Sequence, residues 1–239
     1  MKPVALVTGG SSGIGRASAV ALAHQGYRVV VASRRAAHLE EVVAQLGEDT
    51  ATAIPADVSV DEDRRRLLET TAKRCGGLDV LVNAAGVVHP GSLVDAEADH
   101  IRHMVDVNLL AAIFLFREAL PCLAQRRGAI ISIGSVGGLV SSRISATYGA
   151  TKAAIHHLTV CLAREFARHG VRINTIIPGP VETAFVGGGA LQQLAEATLS
   201  GRIGQPDEIA RWVTALADPN AQWVTGASLT VDGGFVIGP

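Results

Sequence analysis

Tyr148 and Lys152 stand four residues apart in the run Tyr148-Gly149-Ala150-Thr151-Lys152, and Ser135 lies upstream at the end of an apolar stretch. Residues four apart on a helix share a face, one turn above each other. An ammonium held beside a phenol favours the phenolate and makes the tyrosine more acidic. With a hydroxyl aimed from a neighbouring strand end, the three side chains can pass a proton to a carbonyl or take one from an alcohol. A lone Y-x-x-x-K is common by chance, so its surroundings decide.

Such a site needs a helix for the pair and a strand end for the serine. Apolar, β-branched runs predict strands over residues 4–8, 28–32, 50–55, 80–83, 129–133, 172–177 and 228–231. Most are nearly continuous in hydrophobicity, as expected for parallel strands buried on both faces. Helical patterns fall between them, at 14–24, 37–46, 61–74, 98–123, 146–168 and 206–217. The last begins with Pro206, Asp207 and Glu208, which suit a helix's positive end. Repeated β-α-β units with right-handed crossovers predict one doubly wound α/β sheet of seven parallel strands, with helices on both faces. No repeat or linker divides residues 1–239, so a single domain is expected. The triplet Gly187-Gly188-Gly189, between the sixth strand and a short helix, reads as a mobile loop.

The bulk properties narrow the function. A net charge of −1 gives no reason to expect nucleic acid or an anionic membrane as partner. Cys75, Cys122 and Cys161 are odd in number and widely spaced, which suits reduced, mostly buried thiols. The first strand starts so early that no signal peptide is expected. The most apolar stretch, residues 109–116, is far too short to span a bilayer. A cytoplasmic protein is expected. No histidine and carboxylate grouping has metal-ligand spacing, so no catalytic metal is expected.

A nucleotide site is written at the other end of the chain. After the first strand comes Thr8-Gly9-Gly10-Ser11-Ser12-Gly13-Ile14-Gly15, then a helix. Glycines permit the tight turn and let main-chain N–H groups approach a pyrophosphate, which the helix N-terminus also attracts. The candidate contacts are Gly9, Ser11, Ser12, Gly13, Ile14 and Gly15; the bland alternative is a turn. The second strand leads into Ser33-Arg34-Arg35. A carboxylate there would hold a free ribose 2′-hydroxyl, whereas two guanidiniums suit a 2′-phosphate and so favour NADP(H). Asp57, with Val58 beside it, could accept from an adenine amino group or simply cap the next helix. Asn83, Ala84 and Gly86 end the fourth strand with small residues that let a cofactor lie close, or merely make a turn.

Together these pieces resemble the one-domain branch of the short-chain dehydrogenase/reductase family over essentially the whole chain. The resemblance is carried by Thr8-Gly9-x-x-x-Gly13-x-Gly15, Asp57, Asn83-Ala84-Ala85-Gly86, Asn108, Ser135, Tyr148-x-x-x-Lys152, Pro178-Gly179 and Thr183. Ala84 departs from it, since the family usually has a second asparagine there. The resemblance implies a Rossmann sheet in the order 3-2-1-4-5-6-7. It makes Tyr148 the general acid in reduction and the base in oxidation. Bringing a phenol from ~10 to ~7 takes about 4 kcal/mol of phenolate stabilisation, which Lys152 and a positive nicotinamide would supply together. Lys152 would also hold the nicotinamide ribose, Ser135 the substrate oxygen, and Asn108 a water relaying protons to Lys152. Pro178, Gly179, Val181 and Thr183 would frame the carboxamide. Pairing of the two longest helices would give a homotetramer.

Reduction of a small ketone, or oxidation of the corresponding alcohol, is the leading expectation. A narrower one is 3-oxoacyl reduction on an acyl carrier protein, since Arg126 matches a residue with which such reductases dock the carrier; His169 replaces the second docking arginine. A rival from another class is a non-catalytic NADP(H)-binding regulator. The candidate pocket walls at 89–93, 136–144 and 185–199 are small and apolar and suggest a modest, uncharged ligand. His89 could line the mouth or sit solvated in a loop. His156 and His157 are expected to point to other helix faces, and Trp212 and Trp223 to pack.

Overall fold

The computed structural model describes residues 2–141, 144–183 and 191–238. Chain order runs β1 (Val4–Thr8), α1 (Gly13–His24), β2 (Arg28–Ser33), α2 (Ala36–Leu46), β3 (Ala51–Pro55), α3 (Asp61–Cys75) and β4 (Val80–Asn83). It continues with α4 (Ala98–Val105), a π-helical turn (Asp106–Leu110), α5 (Ala111–Arg126), β5 (Ala129–Ile133), a 3-10 turn (Val136–Gly138) and α6 (Ala146–Phe166). β6 (Arg172–Pro178), α7 (Leu191–Glu196), α8 (Pro206–Ala217) and β7 (Ser228–Val231) complete it. All seven strands are parallel, in the order β3-β2-β1-β4-β5-β6-β7 that the resemblance implied.

Alternation along each strand sends side chains to two separate cores. Ala5, Val7, Val29 and Val31 face one side, where α1, α2 and α8 contribute Leu22, Leu39 and Val213. Leu6, Val30 and Ala32 face the other, covered by α3, α5 and α6 through Leu67, Leu115, Phe116 and Ile155. Each fully buried aliphatic side chain is worth about 1.5–3 kcal/mol. A strand buried on both faces therefore fixes its helices on both sides at once. Because every strand is parallel, Thr8, Ser33, Asn83, Ile133 and Pro178 all end on one edge of the sheet.

Helix boundaries follow local chemistry. Asp61, Glu62 and Asp63 crowd the positive end of α3, and Gly76 closes its other end in the left-handed conformation at φ 83°. Pro206 opens α8, and Gln205 and Glu208 form a reciprocal capping box. The helix expected over 98–123 is interrupted: the π-helical turn shifts hydrogen bonding to i→i+5 around Asn108, with the Ala111 N–H reaching the Asp106 carbonyl. The helix expected over 146–168 ends in a 3-10 turn at Ala167–His169.

Three other expectations meet a different outcome. The segment Ala98–Arg126 is continuous enough to pass, by length and composition alone, as a membrane-crossing helix, although half of its apolar window is buried. Leu115, Phe116, Leu120 and Leu123 occupy the core under the sheet, which accounts for its apolarity. Trp223 is fully exposed and Trp212 is 44% exposed, so neither is a core residue. Cys161 is also exposed, whereas Cys75 and Cys122 are half-buried, and all three thiols are free.

Candidate active site

The edge that collects the strand ends also collects the residues singled out for chemistry. Ser145 caps α6, its hydroxyl accepting from the Tyr148 N–H at 3.4 Å, and so fixes the first turn. Lys152, one turn on, is buried, with Nζ 5.7 Å from the centre of the Tyr148 ring. Ser135 lies just beyond β5, where its hydroxyl is near enough to the Tyr148 phenol to favour the phenolate and accepts from the Gly137 N–H at 3.1 Å. Three side chains from two elements thus meet as the spacing suggested.

Their electrostatics are less simple. Burial raises the pKa of Tyr148 above the ordinary phenol value, and the nearby Ser135 hydroxyl opposes it only in part. The acidified tyrosine read from the Y-x-x-x-K spacing is absent from the free chain. One reason is where the ammonium goes: Lys152 Nζ donates to the Ile133 carbonyl at 2.9 Å. Burial in turn lowers Lys152 to about 8, so it keeps its charge at neutral pH with little to spare.

Asn108 reaches the same place by way of the π-helical turn. Its carboxamide is spent on the backbone, accepting from the Val87 N–H at 2.8 Å and donating to the Val87 carbonyl at 2.9 Å. It also donates to the Thr151 hydroxyl at 3.3 Å. A Cβ added to Gly86 would lie 3.3 Å from Asn108 Oδ1 and 3.6 Å from Lys152 Nζ, so these three residues converge. Asn108 splints the segment after β4 against α6.

The glycine loop is built for close approach. Gly9 adopts φ +67°, and a Cβ there would come within 2.7 Å of the Ala84 carbonyl. A Cβ on Gly15 would meet the Gly9 carbonyl at 2.2 Å, so α1 can pack this tightly only with glycine. Asn83 Oδ1 lies 3.4 Å from Thr8 Oγ1, which also accepts from the Ala85 N–H, binding the ends of β1 and β4 together. Gly13 faces Thr183, whose own hydroxyl donates to the Val181 carbonyl at 3.3 Å. Val181 is buried and bridges to Gly204. Gly179 packs on Asp232, leaving no space for a side chain after Pro178.

No side chain caps the first turn of α1 at Ser12, and no acidic residue lies within it. Its N–H groups and positive end therefore suit a phosphate. Arg35 leans over this loop, donating to Ser11 Oγ at 3.1 Å and Ser12 Oγ at 2.8 Å, while its own N–H donates to Ser33 Oγ. Arg34 lies 3.8 Å from an Asp57 oxygen. Asp57 also accepts from the Ser59 N–H and hydroxyl, closing a local turn; the residue capping α3 is Val60. Val58 is buried beside it. A glycine loop open to close main-chain approach, a helix end with no side-chain cap and two guanidiniums form a donor set that fits a phosphorylated dinucleotide.

Sequence reasoning missed His156. The expectation that it points to another helix face fails, because it continues the four-residue step from Tyr148 through Lys152. Its ring is buried against the Ser135 segment, with Nε2 3.4 Å from the Ser135 nitrogen. His89, by contrast, does belong to a cluster, 2.9 Å from His103 and stacked on His100. Arg126 lies at the opposite sheet edge, before β5, where it donates to the Gly76 carbonyl and approaches Asp79 at 4.0 Å. The glycine triplet 187–189, together with 142, 143 and residues 185–190 of the wall expected at 185–199, lies outside the described residues.

Comparison with known proteins agrees with this geometry. A family model described as "Enoyl-(Acyl carrier protein) reductase" matches residues 9–236. Carbonyl reductase family member 4 of Danio rerio is 33% identical over 235 residues, covering 98% of each chain. An uncharacterized oxidoreductase of Staphylococcus aureus is 38% identical over 182 residues, covering 76% of this chain and 79% of its own. The crystal structure of gox2181 superposes with a TM-score of 0.94 at 32% identity, covering 99% of this chain and 96% of that one. A short chain dehydrogenase/reductase family protein gives 0.88 at 36% identity, covering 98% and 97%. With its seven-stranded Rossmann sheet, its glycine loop and these relatives along its length, this chain belongs to the short-chain dehydrogenase/reductase family of oxidoreductases.

Proposed function

We propose that the chain interconverts a ketone and a secondary alcohol with NADP(H), and that Tyr148 exchanges the proton. The observation that carries this reading is the meeting of the Ser135 hydroxyl, the Tyr148 phenol and the Lys152 ammonium at one end of the sheet, with Lys152 Nζ 5.7 Å from the centre of the Tyr148 ring. Two hydroxyls so placed can both reach one substrate oxygen. Ser135 would hold that oxygen, and Tyr148 would give it a proton during reduction or remove one during oxidation. Lys152 would keep positive charge near the phenol throughout.

Bound NADPH would supply the hydride. Gly9, Gly13 and the first turn of α1 would take its pyrophosphate; Arg35 would turn from Ser11 and Ser12 to the 2′-phosphate, with Arg34 beside it. The absence of a carboxylate at the end of β2 supports NADP(H) over NAD(H). The name of the Danio rerio relative supports carbonyl reduction. Free small ketones are preferred as substrates over acyl-carrier-bound ones, because Arg126 is engaged with Gly76 and lies at the far edge from Tyr148. A non-catalytic regulator is disfavoured by a complete Ser135, Tyr148 and Lys152 set. Leu110, Phe114 and Val160 are exposed along α5, α6 and the turn before α5, which supports assembly of copies across these helices.

The test is NADPH oxidation against a ketone panel by the parent chain and by Tyr148→Phe. Loss of turnover by about 10²–10⁴ with retained NADPH binding is expected, the range for a lost general acid. Parental turnover in the variant would refute Tyr148 as the proton donor.

A further inference from the structure

His156 stands one helical turn past Lys152, on the face of α6 that also carries Tyr148. Beside it, β5 leaves the sheet through Ile133-Gly134-Ser135. Lys152 Nζ donates to the Ile133 carbonyl at 2.9 Å, and the Ser135 N–H donates to His156 Nε2 at 3.4 Å. Two consecutive turns of one helix thus grip this exit segment on either side of Gly134. From the other direction, the Gly134 N–H is taken by the Ile176 carbonyl at 2.7 Å.

The contact leaves no slack. A Cβ on Gly134 would come within 2.4 Å of His156 Nε2. A Cβ on Gly138 would lie 2.8 Å from the ring's Cε1 and 2.6 Å from the Ala153 nitrogen. The imidazole therefore fills the bend between the two glycines, and that bend carries the Ser135 hydroxyl. Accepting at Nε2 requires a lone pair there, so the ring proton belongs on Nδ1, which is buried without a hydrogen-bond partner among the described residues. A doubly protonated ring could not accept the Ser135 N–H. Burial and the nearby Lys152 ammonium hold the ring neutral, lowering its pKa to about 4.

We propose that His156 is a positioning residue: as a neutral imidazole it accepts the Ser135 main-chain N–H and thereby fixes the Ser135 hydroxyl against the Tyr148 phenol. The proposal rests on the reading of Ser135 and Tyr148 as the substrate-oxygen contacts. A histidine that only fills space could be exchanged for an apolar residue of similar reach without loss of turnover. An acceptor could not.

Two variants separate these roles. His156→Met fills the bend without an acceptor, whereas His156→Gln returns an oxygen near the Nε2 position. The expected result is about a tenfold drop in kcat for the methionine variant, because a displaced contact slows transfer, with an unchanged KM for NADPH. The glutamine variant should recover to within about threefold of the parent. Ring 15N shifts of the parent chain, measured without substrate, should report protonation at Nδ1 alone from pH 8 down to pH 5, roughly a pH unit above the lowered pKa. Parental kcat in the methionine variant, equal losses in both variants, or a proton on Nε2 would each overturn the proposal. If the methionine variant does not fold, the 15N measurement decides. Because it needs no turnover, its failure is distinct from failure of the reductase reading.

Discussion

At the head of α6 the groups that would handle a proton are sunk and bonded to one another, whereas at the end of β2 the groups that would grip a phosphate stand in solvent. Lys152 is 7% exposed and anchored to a main-chain carbonyl, while the Arg34 side chain is 60% exposed and 3.8 Å from its nearest carboxylate oxygen. The difference follows from the tasks. Proton transfer needs reacting atoms held within a few tenths of an ångström, and burial with several hydrogen bonds provides that. Phosphate recognition needs charge that can be redirected, and a long exposed guanidinium bonded only to Ser11 and Ser12 can be redirected at small cost.

If that contrast is sound, the largest effect comes from the buried side. Lys152→Met should lower turnover by about 10²–10⁴, in the range of a lost acid–base contribution. It should nevertheless leave the melting temperature unchanged or raised, because a desolvated charge is removed. The same burial sets a pH dependence. Lys152 is lowered from 10.5 to about 8, so kcat/KM in the parent should fall as pH rises past about 8 and the ammonium is lost. Between about 8 and 10.5 the unfolded chain holds this proton more tightly, so the lysine's contribution to stability rises with pH there. A pH profile of activity and one of thermal unfolding, running in opposite directions, check both statements.

Arg35→Ser should act less strongly and selectively. Loss of charge-assisted hydrogen bonds worth about 1.5–3 kcal/mol raises the KM for NADPH by roughly tenfold to a hundredfold. NADH should be little affected, and kcat should stay within about twofold, since no proton-handling group moves. Steady-state kinetics with both cofactors decide it. Glu208→Gln should have the smallest effect, a melting shift of about 1–2 °C with turnover intact. The Arg202 guanidinium and the Gln205 N–H draw Glu208 down from 4.5 to about 2. Its contribution is therefore present above 4.5 and lost as pH falls through about 2, which acid unfolding of parent and variant would reveal.

Much of this contrast was legible in the chain before its fold. Strands such as Val80–Asn83 and Ala129–Ile133 are nearly continuous in apolar residues and buried throughout, as a sheet covered on both faces requires. Tyr148 and Lys152 carry their geometry in their spacing. Other features had no local signature. The π-helical turn at Asn108 depends on how the chain meets Val87 after β4, a contact between residues far apart in sequence. The direction of the Tyr148 shift depends on burial and on Lys152 pointing at Ile133, neither of which spacing encodes. His156 is one more step of four along the same helix, a signal masked by His157 beside it, since two adjacent histidines cannot share one helix face.

The most direct test uses the fact that the chain has only two tyrosines. Tyr27, whose hydroxyl donates to the Ala217 carbonyl at 3.0 Å, can be replaced by phenylalanine. Tyrosinate absorbance against pH then reports Tyr148 alone. The account predicts ionisation above the ordinary phenol value in the free chain and a clear downward shift when NADP⁺ is bound beside it. A Tyr148 that titrates like a solvated phenol, indifferent to NADP⁺, would contradict the claim that this buried hydroxyl is the group exchanging protons with the substrate.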